Sequence, residues 1–389
     1  MYPTQQLRRL ARIKNGSDHS QVQDDLGEFP VYGSGGEFAR ASRPLYSGPS
    51  VLLGRKGTID RPLLVDGEFW TVDTMFCAQP YATVNPTFLY YACTTIPFDL
   101  LSTSTALPSM TQGDLNAVRL PAPETETQRL IAEFLDRETA KIDALIDKQE
   151  QLIATLREDR AATITRAVTK GLDPDVELVA QGADFPAIPA HWQVLPIKRV
   201  GNLVTGGTPA TGDSTNFTDP SDGLPWFRPE DLDTRGRPSS ALKALSSEGQ
   251  TVVPRLTAPS VHVVSIGATL GKIGLVEVES ASNQQITAVI GTPCPRFTYF
   301  ALVASYDRIW AASMGNTLPI ISAGRLAMVS LPVPPVEEQA QIARHLTTRC
   351  AKIDSLIDKS TEMIQVLREY RSALIANAVT GKIDVREAV

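Results

Sequence analysis

The nonapeptide AKIDALIDK at residues 140–148 returns almost unchanged as AKIDSLIDK at 351–359, an offset of 211 positions from 140 to 351. The same offset carries Leu107-Pro108 onto Leu318-Pro319, Gly113 onto Gly324, and VRLPAPETETQRLIAEFL from Val118 onto VSLPVPPVEEQAQIARHL from Val329. It continues without a gap through TLREDRAATITRAVTKGLD on VLREYRSALIANAVTGKID. A period this long excludes a solenoid of short units. The chain reads as two copies of one module, each ending in the same helical element.

That element is long. Pro121 and Pro123 punctuate its start in the first copy, and Pro332, Pro334 and Pro335 do so in the second. Acidic residues follow (Glu124 and Glu126, then Glu337 and Glu338), where they suit the positive end of a helix dipole. No Pro or Gly then interrupts either copy before Gly171 or Gly381. Apolar residues recur at helical spacing from Ile131 to Leu156 and from Ile342 to Leu374, a stripe wider than a strict coiled-coil seam. A rod of roughly 65–70 Å cannot be buried in a small domain, so the economical arrangement packs the two helices on each other. The expected seam is Ile142, Leu145, Leu152 and Leu156 in one helix with Ile353, Leu356, Met363 and Leu367 in the other. Because each helix follows an equivalent module, antiparallel packing with pseudo-two-fold symmetry is the preferred geometry. Parallel packing is the alternative, and periodicity does not separate them.

The expected fold class is α/β in the α+β sense, with two globular domains joined by the helix pair. The divisions are a first globular domain at 1–117, a helical spacer at 118–171, a linker at 172–194, a second globular domain at 195–328 and a second spacer at 329–389. Ser50–Gly54, Val261–Gly267 and Gln284–Ile290 read as strands, and GSGG at 33–36, VTGGTP at 204–209 and TDPSDG at 218–223 read as turns. The globular parts resemble each other only faintly, LRRLARIKNG from Leu7 lying on IKRVGNLVTG from Ile197. The linker, rich in Pro, Gly and Asp, reads as an ordered-to-loose connection.

Composition bounds the function. A chain of 389 residues holds two to three domains, and 42% hydrophobic with 21% charged residues is ordinary for a globular protein. No apolar run is long enough to span a bilayer, and MYPTQQLRRLARIKNG lacks the apolar core of a signal peptide. Four scattered cysteines (Cys77, Cys93, Cys294, Cys350) form no C-x-x-C pair, which argues against a zinc site or disulfide framework and suits the cytoplasm. A net charge of −6 weighs against nucleic-acid binding, although it says little about local patches.

Catalytic patterns are absent or incomplete. GATLGKIG at 267–274 is one residue short of a phosphate loop, and Ile273 stands where Ser or Thr should hold Mg²⁺. NPTF at 85–88 departs from the N-P-P-[YF] box of amino-methyltransferases at Thr87 and reads as a turn starting a helix. His19, His191, His262 and His345 lack metal-ligand spacing. Binding signals are softer. GRKG at 54–57 sets Arg55 and Lys56 between glycines, exposing cations and backbone N–H groups suited to phosphate, and Lys272 between Gly271 and Gly274 repeats the pattern. Arg8, Arg9, Arg12 and Lys14, with Lys198 and Arg199, form basic clusters, and TSTALPS and MGNTLPI are polar loops.

Taken in order, FPVYGSGGEF, GPSVLLGRKGTID, GLPWFRPEDL, SIGATLGKIGLVEVESASNQQITAVI and the two LP-initiated helices resemble the specificity subunits of Type I restriction–modification enzymes over essentially the whole chain. The resemblance implies two target-recognition domains, each reading one half of a bipartite double-stranded DNA target, with the helix pair as a ruler between them. It implies partners: methylation subunits, two of them, supplying S-adenosylmethionine chemistry, and restriction subunits using ATP and Mg²⁺. It implies no cofactor in this chain, no catalytic residue and no membrane. The DNA-binding candidates it leaves are Arg55, Lys56 and Thr58 in the first domain and Thr205, Thr208, Lys272 and Gln284 in the second. The rival readings are a protein-interaction scaffold, favoured by the acidic balance, and a fused methyltransferase.

Overall fold

The computed structural model describes residues 1–101, 109–210, 212–315 and 317–385. Leu107-Pro108, all of TSTALPS but its last serine, and Asn316 of MGNTLPI lie outside the described residues. The chain divides into two compact units, Met1–Glu150 with Thr361–Val389, and Gln151–Ser360. These boundaries cut both long helices.

In the first unit, strand Thr4–Gln6 pairs antiparallel with Arg119–Pro121, which leads into the long helix. Between them lie two four-stranded sheets. One runs, in spatial order, Ala11–Asn15, Met75–Pro80, Ser50–Gly54, Leu63–Val65, all antiparallel. The other runs Gly36–Ala41, Phe29–Gly33, Glu68–Thr71, Tyr46–Ser47, its middle pair parallel. The continuous apolar run of Ser50–Gly54 is buried at all five positions. Leu52, Val65, Phe69, Met75 and Cys77 form a core on one side, and helix Pro86–Thr94 packs against the same strand and Leu63–Val65. A large apolar side chain fully removed from water contributes about 1.5–3 kcal/mol, so this cluster fixes how the sheet is placed. NPTF proves to be a helix start: the Asn85 side chain accepts the Phe88 N–H at 2.9 Å and Pro86 occupies the first turn.

The second unit repeats this plan. Gln193–Pro196 pairs with Ser330–Val333, which leads into the second long helix. One sheet runs Asn202–Thr205, Ile286–Ile290, Ser260–Val264, Ile273–Val276, all antiparallel. The other runs Phe217–Thr218, Ala244–Leu245, Leu224–Phe227, Ala281–Ser282, its last pair parallel. Helix Pro295–Val303 covers Ser260–Val264 and Ile273–Val276. Two modules whose sequences barely align thus share the strand order of their first sheet, while their second sheets are ordered differently. Part of the linker is ordered. Leu178–Val179 pairs with Ile188–Pro189, and Phe185 is buried beneath the Arg308 guanidinium, 4.6 Å from its ring.

The long helices are Thr125–Lys170 and Val336–Thr380. Each ends at a glycine of positive φ, Gly171 and Gly381 (both +75°), the left-handed cap that closes a helix. Equivalent glutamines serve equivalent carbonyls: Gln128 donates to Pro123 O and Gln339 to Pro334 O, both at 2.9 Å. In the first unit Arg371 Nε meets Asp143 at 2.8 Å, and in the second Arg160 Nε meets Asp354 at 3.0 Å. Asp143 and Asp354 occupy one position of the repeat, and Arg160 and Arg371 another.

The expected seam needs correction. Ile142 and Ile353 are buried, Leu156 and Leu367 are half-buried, but Leu145, Leu152, Leu356 and Met363 are each 44–50% exposed. Ile146, Ile357 and Ile364 are buried instead. At about 3.6 residues per turn, the residue four on lies about 40° to one side and the residue three on about 60° to the other, so a stripe wider than the seam leaves one edge in solvent.

Candidate nucleic-acid interface

In the first unit the GRKG loop follows strand Ser50–Gly54. Its backbone is committed: the N–H groups of Arg55 and Lys56 both donate to Thr74 O, at 2.7 and 3.2 Å. The N–H groups of Arg55 and Lys56 are therefore not bare, contrary to the expectation. A Cβ on Gly54 would lie 2.3 Å from Thr58 O, so only glycine lets the loop fold back this tightly. Arg55 is half-buried; its guanidinium donates to Asp73 O at 3.3 Å and lies 5.9 Å from the Phe76 ring. Lys56 and Thr58 remain exposed, with Gly57 between them at φ +84°. On strand Ala11–Asn15, Ala11 and Ile13 face the core while Arg12 is exposed and Lys14 reaches over the Tyr46 ring at 5.1 Å.

In the second unit the candidates separate. Thr205, Thr208 and Gln284 come together at one end of the sheet: the Thr208 hydroxyl donates to Gln284 Oε1, and Thr205 Oγ1 lies 3.3 Å from Thr287 Oγ1, which in turn accepts from Ser265 at 2.9 Å. Asn283 Nδ2 donates to Gln285 Oε1 at 3.0 Å, so the amide run Asn283–Gln285 is held by its own hydrogen bonds and by Thr208. Gly206 passes so close to Ser282 and Asn283 that a Cβ would meet their carbonyl oxygens at 2.3 Å. Lys272 does not join them. It is half-buried and its Nζ donates to Pro229 O at 2.6 Å. The segment around it links two antiparallel strands, Ser260–Val264 and Ile273–Val276, rather than a strand and a helix, which removes the phosphate-loop reading.

Residues that sequence reading missed are ionic. Besides the reciprocal Asp–Arg pairs, Arg235 Nη1 bridges both Asp358 carboxylate oxygens at 2.6 and 2.8 Å, and Arg160 donates to Arg235 O at 3.0 Å. The repeat itself held the signal for the reciprocal pairs, since both copies keep an Asp and an Arg at the same two positions. Among the described residues no group of three or more His, Cys, Asp or Glu is disposed to hold a metal ion, and no helix is long and apolar enough to cross a membrane.

The family model described as Type I restriction modification DNA specificity domain matches residues 5–154 and again 189–364. The chain is similar to the specificity subunit of the Type I restriction enzyme EcoBI of Escherichia coli, 26% identical over 53% of this chain and 43% of that subunit, so the match spans less than half that relative's length. It is also similar to the EcoDI specificity subunit of Escherichia coli, 18% identical over 98% of this chain and 88% of that one. Among solved structures, a chain described under "Structural basis underlying complex assembly and conformational transition of the type I R-M system" superposes with a TM-score of 0.70 at 17% identity, covering 98% of both chains, and so shares the fold. With its model matched once in each half, over most of the chain, and one antiparallel sheet of the same strand order in each unit, the chain belongs to the family of Type I restriction modification DNA specificity domains.

Proposed function

We propose that this chain is the DNA-recognition subunit of a Type I restriction–modification complex. Each globular domain reads one half of a bipartite duplex target. The two long helices pack antiparallel as a pseudo-two-fold coiled coil that sets the gap between half-sites. The observation that carries this reading is the reciprocity of the ion pairs. Asp143 of the first copy meets Arg371 of the second, and Asp354 of the second meets Arg160 of the first. Exchanging the two copies exchanges the pairs, which is the signature of a two-fold relation. As the residue number rises in one helix it falls in its partner, which favours the antiparallel choice left open by periodicity.

The same geometry suits docking. Leu145 and Leu356 are repeat equivalents, as are Leu152 and Met363, and all four are exposed. We assign them to contacts with two methylation subunits, which would supply the S-adenosylmethionine chemistry, as restriction subunits would supply ATP- and Mg²⁺-dependent steps. Arg55, Lys56, Thr58, Thr205, Thr208 and Gln284 remain the DNA-facing candidates, whereas Lys272 is assigned to holding the fold.

The test is a genome-wide map of N6-methyladenine in cells carrying this chain with its methylation partner, against cells lacking only this chain. A two-part motif with a fixed gap, lost on deletion, is expected. If the partner is active and no motif depends on the chain, recognition is refuted and a scaffold of two binding modules takes its place.

A further inference from the structure

The MGNTLPI loop reads as polar for its Asn and Thr, yet its exposed large side chains are apolar. Met314 is 58% exposed, Leu318 54% and Ile320 41%. The backbone at Met314 and Ile320 is tied by hydrogen bonds. Met314 and Ile320 exchange both backbone hydrogen bonds at 2.8 Å, making a tight hairpin. Gly315 holds φ +91°, with space for a Cβ closed off by Leu318 O at 2.6 Å. The hairpin is stitched to the neighbouring loop: Gly267 N–H donates to Pro319 O at 3.0 Å and Ile321 N–H to Ser265 O at 2.9 Å. Ser265 N–H in turn donates to Gln285 O at 2.7 Å. The apolar tip and the amide run Asn283–Gln285, braced by Thr208, therefore share one end of the domain.

We infer that Met314, Leu318 and Ile320 form a wedge that enters a base step of the DNA duplex from the minor groove. The inference rests on the DNA-recognition reading and adds to it a mode of contact. Proteins that read the minor groove combine Asn and Gln side chains with inserted Met, Leu, Ile or Pro, because an apolar side chain can replace base stacking without leaving a polar group unpaired. A wedge must also be anchored at its base, where Met314 and Ile320 exchange two backbone hydrogen bonds. The segments 203–210, 265–269, 281–287 and 312–322 contain neither acid nor base, so this end neither repels phosphates nor attracts them, and the contact rests on the apolar side chains and amides. A wedge of this kind reads deformability rather than base identity.

The experiment uses the full chain with its methylation subunits and a duplex bearing the mapped motif, with 2-aminopurine placed at successive steps across both half-sites. Binding should brighten the probe at one step, reporting unstacking. The double variant Met314→Ala/Leu318→Ala, and separately Leu318→Ser, should lose that signal and bind about tenfold more weakly, with the methylated motif unchanged. Both variants keep the hairpin's backbone hydrogen bonds, and co-purification with the methylation subunits checks that they fold and assemble. The wedge is overturned if wild type binds and no step brightens, or if the variants keep the signal. It is equally overturned if the soluble variants lose the methylation subunits, which would make the hairpin a protein contact. A wild-type complex with no affinity for its own mapped duplex would instead sink the recognition reading itself.

Discussion

His262 is wholly buried in strand Ser260–Val264, edge-on to Phe227 at 5.4 Å, with Ser260 Oγ 3.2 Å from Nε2 and no partner for Nδ1. Burial pushes its pKa down from 6.5 to about 3, because the imidazolium would have to give up its water. The unfolded chain then binds a proton that the folded chain refuses. Stability is full above pH 6.5 and falls as pH drops toward 3, by about 1.4 kcal/mol per pH unit. Replacing His262 with Gln should flatten the acid limb of a stability-versus-pH curve; an unchanged slope would show that the histidine is not what titrates. Lys272 makes a second case. Its ammonium serves the Pro229 carbonyl, so Lys272→Met should lower stability by about 1–3 kcal/mol while leaving the methylated motif intact. Thr208→Val and Gln284→Ala should do the reverse, reducing methylation at unchanged melting temperature, because both side chains are exposed and their loss empties no core. If Lys272→Met altered the motif, its place among the DNA contacts would be restored. Both residues show why side-chain roles were hidden in the sequence. A cation between glycines looks free until the chain folds a carbonyl against it.

At the scale of elements, the two reciprocal ion pairs are chemically alike but differently wet. Arg160 and Asp354 are 15% and 14% exposed, whereas Arg371 and Asp143 are 28% and 49% exposed. The Arg160 Nε approach lies off the N–H axis, so it is an ion pair without a hydrogen bond from that atom, and Arg160 is anchored additionally through Arg235 O. Removing Asp354 strands a nearly buried guanidinium, at a cost of about 3 kcal/mol. Asp143→Ala should cost about 1 kcal/mol or less, since water screens that pair. Chemical denaturation of the two variants should separate them, and equal losses would mean that exposure does not govern these pairs. The long helices were legible because uninterrupted Pro- and Gly-free sequence, repeated at a fixed offset, admits little else. Strand Ser50–Gly54 was legible from its apolar run. Which apolar helix positions bury was not, since Leu145 and Ile146 are equally apolar and adjacent, and only the other elements decide which one faces inward. The order of the linker was not legible for a related reason: Pro, Gly and Asp left it between ordered and loose, and one aromatic, Phe185, finds a buried site there.

At the scale of the molecule, the net charge of −6 and the proposed contact with a polyanion must be reconciled. Duplex binding rewards local cation density and acid-free contact surfaces rather than global charge, and the methylation subunits would share the phosphate contacts. The ruler is the sharper test, because it links helix geometry to DNA geometry with no adjustable chemistry. Removing four residues from 146–156 and the equivalent four from 357–367 leaves Asp143, Arg160, Asp354 and Arg371 in place. The reciprocal pairs can therefore still form at both ends of the shortened helices. Four residues of helix are about 6 Å, and the duplex rises 3.4 Å per base pair, so the gap should shorten by about one to two base pairs. Both half-sites should stay the same, since neither globular domain is touched. Methylome mapping of the paired deletion reads gap and half-sites together. A shortened gap with intact half-sites means that the helices measure the distance. An unchanged gap, or half-sites that change with it, means that the distance is set within the globular domains and the helices only hold partners.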